Sequence, residues 1–204
     1  MLIVISNPIA IKDEANIINT LFVEGLEVLH IRRPEASVNE IRRLIEKIDS
    51  KYYNQIALHQ HHQLTRDFGI KRLHFTEAKR KEMSEEELIT IRAADNILST
   101  SIHQTEDYKT LPTSFEYTFF GPVFNSISKQ GYTSAITHDF IWPVKKKQTK
   151  VFAIGGVDAT NIQQAIKMQF DGAAVLGTIW QKPEESIQQF KALQKAWKQT
   201  DQLY

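Results

Sequence analysis

The sequence predicts a single-domain α/β protein in which eight parallel strands close into a (β/α)8 barrel. Two observations carry that prediction. Short apolar runs alternate with polar stretches of helical spacing, and eight such units fit within 204 residues. Strictly alternating β and α units demand parallel strands with right-handed crossovers, and eight of them in about 200 residues suit a small closed barrel better than a doubly wound sheet. The first strand-to-helix turn, Ser6-Asn7-Pro8-Ile9-Ala10, also lacks the glycines that let a dinucleotide pyrophosphate approach the backbone.

In chain order the predicted strands are Leu2–Ser6, Leu26–Arg32, Gln55–Gln60, Arg72–Phe75, Ile97–Ile102, Tyr117–Gly121, Val151–Gly155 and Ala173–Gly177. Amphipathic stretches between them predict helices over Ala15–Glu24, Val38–Ile48, Glu85–Ala93, Asn161–Phe170 and Glu184–Trp197, the last preceded by Pro183 where a helix start tolerates proline. There is no linker, repeat or low-complexity segment, so residues 1–204 read as one domain. Lys145-Lys146-Lys147 with Lys150 reads as a solvated helix end in preference to a polyanion site.

Composition narrows the function. The chain is 42% hydrophobic and 24% charged, with 25 Lys+Arg against 24 Asp+Glu. That balance gives no electrostatic footprint for nucleic acid, so any anion site must be local. No cysteine is present, which excludes thiolate metal sites, disulfides and thiol catalysis. A mean hydropathy of −0.34 and the lack of any apolar run near about 20 residues exclude a membrane bundle. The N-terminal run Leu2–Ile5 has no basic flank and reads as a strand, so a cytoplasmic location is expected. Oligomeric state is left open.

In such a barrel, catalytic groups come from the C-terminal ends of strands. Five of the seven histidines fall there: His30, His59, His61, His74 and His103. Each alone is as well explained as a hydrogen-bonded rim residue; their convergence on one end is what points to chemistry. His30 and Arg32 share one face of the second strand while Leu29 and Ile31 face the helices. Arg32 in the mouth suits a phosphate or carboxylate, or an internal ion pair. Gly155-Gly156 after the seventh strand and Leu176-Gly177 after the eighth fall where such barrels bind phosphate through backbone amides; tight turns alone are the competing account. Ser126, Ser128 and Lys129 follow the sixth strand in a loop suited to a lid that places a positive charge and hydroxyls on phosphoryl oxygens; an ordinary surface lysine is the competing account.

These residues resemble a known family, the thiamine phosphate synthases and their TenI-type thiazole tautomerase relatives. The resemblance spans nearly the whole chain. It rests on Leu29-His30-Ile31-Arg32, Ser101-Ile102-His103, Tyr117 through Gly121-Pro122-Val123-Phe124 to Lys129, Ala153-Ile154-Gly155-Gly156-Val157 and Gly172-Ala173-Ala174-Val175. It implies a TIM barrel. It also implies a hydroxyethylthiazole phosphate as ligand, which the synthases join to a hydroxymethylpyrimidine diphosphate with help from magnesium. By the same resemblance Gly155, Gly156, Leu176 and Gly177 hold the thiazole phosphate, and Ser126, Lys129 and Ser101 contact substrate or diphosphate. Arg32, Gln60 and His74 complete the substrate wall.

The magnesium half departs from the family pattern. Pro34 replaces a lysine, His59-Gln60 replaces an Asn-Asp pair, and Lys79 stands where the second metal carboxylate belongs, with Glu77 two residues away. A hard cation wants oxygen donors and is repelled by an ammonium. The resemblance therefore implies a tautomerase-like enzyme with no metal cofactor, magnesium entering only if the protein is a synthase with a remodelled site. The histidine that tautomerases place after the sixth strand is Pro122 here, so His30, His59 or His103 would have to move the proton. A non-catalytic binder of the thiazole phosphate is the third alternative.

Overall fold

The structure, a computed structural model, describes residues 1–125, 136–144 and 146–198. Eight strands form one closed parallel barrel in sequence order: β1 Leu2–Ile5, β2 Val28–Ile31, β3 Ile56–Leu58, β4 Arg72–Phe75, β5 Ile97–Ile102, β6 Phe115–Phe120, β7 Lys150–Ile154 and β8 Gly172–Val175. The helices are α1 Glu14–Val23, α2 Val38–Glu46, α3 Leu64–Phe68, α4 Glu77–Glu82, α5 Glu85–Ala93, α6 Ile162–Lys167, α7 Gly177–Trp180 and α8 Ser186–Lys198. All eight predicted strands exist. α3, α4 and α7 were not predicted, because each is too short to show a hydrophobic period.

Strand sequences are apolar on both faces because a barrel strand is covered on both sides. Alternation sorts the two layers. Ile3, Ile5, Val28, Ala57, Tyr117, Phe119, Phe152 and Ala174 fill the interior. Leu2, Val4, Leu29, Ile31, Leu58 and Val175 pack outward against helix residues such as Ile18, Leu21, Ile41, Ile45, Phe190 and Leu193. Closure joins β1 to β8 with Val4 beside Val175, and Trp180 Nε1 donates to the Ile5 carbonyl at 2.6 Å.

Local chemistry sets the helix starts. Ser37 with Glu40 opens α2 and Ser84 with Glu87 opens α5, each as a reciprocal capping box. Thr76 caps α4 by accepting from the Lys79 amide. The segment carrying Lys146 and Lys147 is not a helix end: Lys147 bonds Asp171 and the Gln169 carbonyl, which fixes it to the loop before β8. Lys145 lies outside the described residues. Among the described residues, no helix is long and apolar enough to cross a membrane.

Candidate active site at the barrel mouth

Three neighbouring strands each send one imidazole inward at the same level. β2 contributes His30, which is fully buried, and β4 contributes His74, which is 2% exposed. The β3–β4 register that pairs Leu58 with Leu73 sets His59, just past β3, beside His74; their rings stack with centroids 3.9 Å apart. His59 is the partly exposed member.

These rings are hydrogen-bonded throughout. His30 Nδ1 lies 2.9 Å from His59 Nε2, and His30 Nε2 lies 2.7 Å from the Tyr117 hydroxyl. His74 Nδ1 meets Ser99 Oγ at 3.0 Å and its Nε2 meets Ser101 Oγ at 3.2 Å. Phe119 closes the apolar side, 4.9 Å from the His30 ring and 5.2 Å from the His74 ring. No carboxylate hydrogen-bonds any of the three rings among the described residues.

Burial sets their charge. Desolvation, then His74 and Arg72, hold His30 well below its ordinary 6.5, and desolvation, His74, His30 and Arg32 do the same for His59. His74 is pushed down to about 3 by desolvation, with His62 and Arg32 adding repulsion. The triad is therefore neutral at pH 7. Burial pushes the Tyr117 hydroxyl up to about 12, so it stays a phenol.

The structure brings His30, His59, His74 and Ser101 together and leaves His103 apart. The His103 ring is exposed; its Nδ1 meets the Gly121 carbonyl at 2.8 Å and its Nε2 lies 3.7 Å from Glu77. Arg32 sits past the end of β2, exposed at the mouth, its amide donating to Ser6 Oγ. Gln60 donates its side-chain amide to the Arg33 carbonyl. Ser126 and Lys129 lie outside the described residues. Gly155 and Gly156 have φ of 94° and 66°, open only to glycine at low cost. They carry a packing role as well, since a Cβ would meet Pro122 at 2.8 Å and the Asn125 carbonyl at 2.3 Å. Leu176 and Gly177 form the start of α7 beside them.

Sequence reasoning passed over Tyr117 and Ser99 as site residues. The signal was available: both fall on the inward register of their strands, where a polar atom needs a partner.

Residues 2–179 match the family described as thiamine monophosphate synthase. The chain belongs to this family. Thiamine-phosphate synthase 1 of Streptococcus pneumoniae (strain ATCC BAA-255 / R6) is 30% identical over 88 residues, 42% of this chain. The thiamine-phosphate synthase of Anoxybacillus flavithermus (strain DSM 21510 / WK1) is 29% identical over 110 residues, 52% of this chain. The matches span 42% and 50% of those two curated relatives' own lengths. A solved thiamine phosphate pyrophosphorylase from Bacteroides thetaiotaomicron superposes with TM-score 0.75 and 26% identity, covering 97% of each chain. One from Pyrococcus furiosus, at TM-score 0.74 and 18% identity over 97% of this chain and 95% of that one, shows the shared fold.

The donor set of this thiamine monophosphate synthase family member does not fit the magnesium that the synthase reaction implies. Gln60 is a neutral amide already donating to a carbonyl. Lys79 points to solvent and pairs with Glu82. Glu77, the remaining carboxylate, is engaged by Lys81 at 2.5 Å and faces His103, and the Lys81 hydrogen bond above all holds it below the usual carboxylate range. Among the described residues, imidazoles and serine hydroxyls remain at these positions, a poor set for a hard cation.

Proposed function

We propose that the protein is a thiazole phosphate isomerase of the TenI type, which moves a proton within the thiazole ring and uses no magnesium. The observation that carries this reading is the uncharged line Tyr117, His30, His59, running from the barrel core to a mouth whose described residues offer no hard-cation donor set. Ring tautomerisation needs one group that takes a proton and returns it to a neighbouring atom. In the tautomer with Nε2–H on His59, that proton is donated to His30 Nδ1, His30 Nε2–H is donated to the Tyr117 oxygen, and His59 Nδ1 is the basic atom. His59 is the catalytic residue; His30 and Tyr117 position it by fixing its tautomer.

The main chain at Gly155, Gly156, Leu176 and Gly177 holds the phosphate, with Arg32, Ser126 and Lys129 adding positive charge and a hydroxyl. The arriving dianion has a second effect: negative charge near His59 favours its protonated form and lifts its basicity toward neutrality when substrate is bound. Ser101 and His74 support the wall through their mutual hydrogen bond.

A second reading, synthesis of thiamine phosphate, is favoured by the full-length 26% identity to the pyrophosphorylase. One experiment separates the readings. Purified protein is given a thiazole phosphate in D2O and proton exchange and tautomer conversion are followed by NMR, beside a reaction with hydroxymethylpyrimidine diphosphate and magnesium. Catalysed exchange, reduced about 10²–10⁴-fold by His59→Gln, is the expected result. Thiamine phosphate formed at ordinary enzyme rates with magnesium would overturn it, and tight thiazole phosphate binding without exchange would mark a binder.

A further inference from the structure

We propose that His30, His59 and His74 form a binding site for one borderline divalent transition ion, such as zinc, with its open coordination position facing the barrel mouth. One ring nitrogen from each of the three lies within 4.8 Å of the others. Two of them, His30 Nδ1 and His59 Nε2, are already 2.9 Å apart. Zinc–nitrogen bonds of about 2.0–2.1 Å in a tetrahedron place their nitrogens about 3.3 Å apart, so an ion between this pair spreads it by a few tenths of an ångström. His74 must turn its ring out of the stack on His59 to present an in-plane lone pair, and its nitrogen must close from within 4.8 Å of the others to about 3.3 Å.

Supporting groups for a metal site are in place. A ligating imidazole is normally held at its second nitrogen by a hydrogen-bond partner that fixes the tautomer. Tyr117 occupies that position on His30 Nε2. On His74, Ser99 or Ser101 retains whichever nitrogen the ion leaves free. The rings are also kept neutral, the form that binds metal, by desolvation in the barrel interior. Three nitrogens without a carboxylate select ions such as zinc, cobalt, nickel or copper(II) over magnesium and calcium. Three histidines and an open fourth position are also the ligand count of a catalytic rather than a structural zinc site.

The site is independent of the isomerase reading, since binding needs no substrate. If that reading holds, the ion takes the lone pairs of His30 Nδ1 and His59 Nε2, the two atoms that hold the relay together, and silences proton transfer until it is chelated.

The test is titration of chelator-treated full-length protein with Co2+, read by its visible d–d bands, and with Zn2+ by calorimetry, both without substrate. One ion per chain with four-coordinate cobalt bands is expected. Tyr117→Phe should weaken binding about 10–100-fold, the usual cost of losing such a supporting partner, and His59→Gln by more than that. His59 is partly exposed, so His59→Gln should fold even if the buried His74→Gln does not. His138→Gln, on the exposed loop before β7, should change nothing. No bound ion, or binding that survives His59→Gln and disappears in His138→Gln, overturns the proposal.

Discussion

At the residue scale, the chemistry of this mouth is decided by where each histidine finds its second hydrogen bond. Position on a strand was readable from the sequence, since His30, His59 and His74 occupy inward registers by simple alternation. Their charge was not, because it depends on burial among groups far away in the chain, as Tyr117 and Phe119 lie against His30. His103 shows the converse: it closes a strand as the others do, yet faces Gly121 and Glu77. The charge argument makes a residue-level prediction. Saturating inorganic phosphate should raise the His59 pKa, followed by NMR titration of its ring proton, while His62, held by the Leu58 carbonyl, moves less. An unmoved His59 would remove the substrate-assisted part of the proposed mechanism.

At the element scale, the two glycine turns need an account that separates folding from ligand binding. Gly156 adopts φ 66°, and its missing Cβ makes room for the Asn125 carbonyl, which would clash with a Cβ there. Gly156→Ala therefore meets two obstacles, left-handed backbone strain and a clash with main chain that has no rotamer to escape into. A loss of at least about 1 kcal/mol in urea stability, measured without ligand, is expected. Unchanged stability would mean that the glycine serves only the ligand. Helix caps were legible at this scale, because Ser37 with Glu40 and Ser84 with Glu87 carry their own partners three residues on. The short α3, α4 and α7 were not, since 4 to 6 residues leave no period to read and only strand geometry makes them helical.

At the scale of the whole molecule, burying three neutral imidazoles ties the barrel's stability to pH. In the unfolded chain each histidine protonates near 6.5, whereas in the fold His74 stays neutral down to about 3 and His30 and His59 well below 6.5. As pH falls through 6.5 the unfolded state gains protons the folded state refuses, so this stability is present above 6.5 and lost on acidification. A refused proton costs about 1.4 kcal/mol per pH unit, a slope that His74 carries across this window, with His30 and His59 acting in the same direction. Glu40, Glu77 and Glu87 are held below their ordinary 4.5, so their loss begins only beneath that value and the window from 6.5 to 4.5 belongs to the imidazoles. A domain with about 5–15 kcal/mol in hand should therefore lose a sizeable share of its stability on acidification before its carboxylates titrate. Urea denaturation at half-unit intervals from pH 7.5 to 4.5 measures the slope, and both His74→Gln and His59→Gln should make it shallower. Stability that stays level across that window would mean the rings take up protons in the folded state as readily as in the unfolded chain, and the uncharged relay would lose its footing.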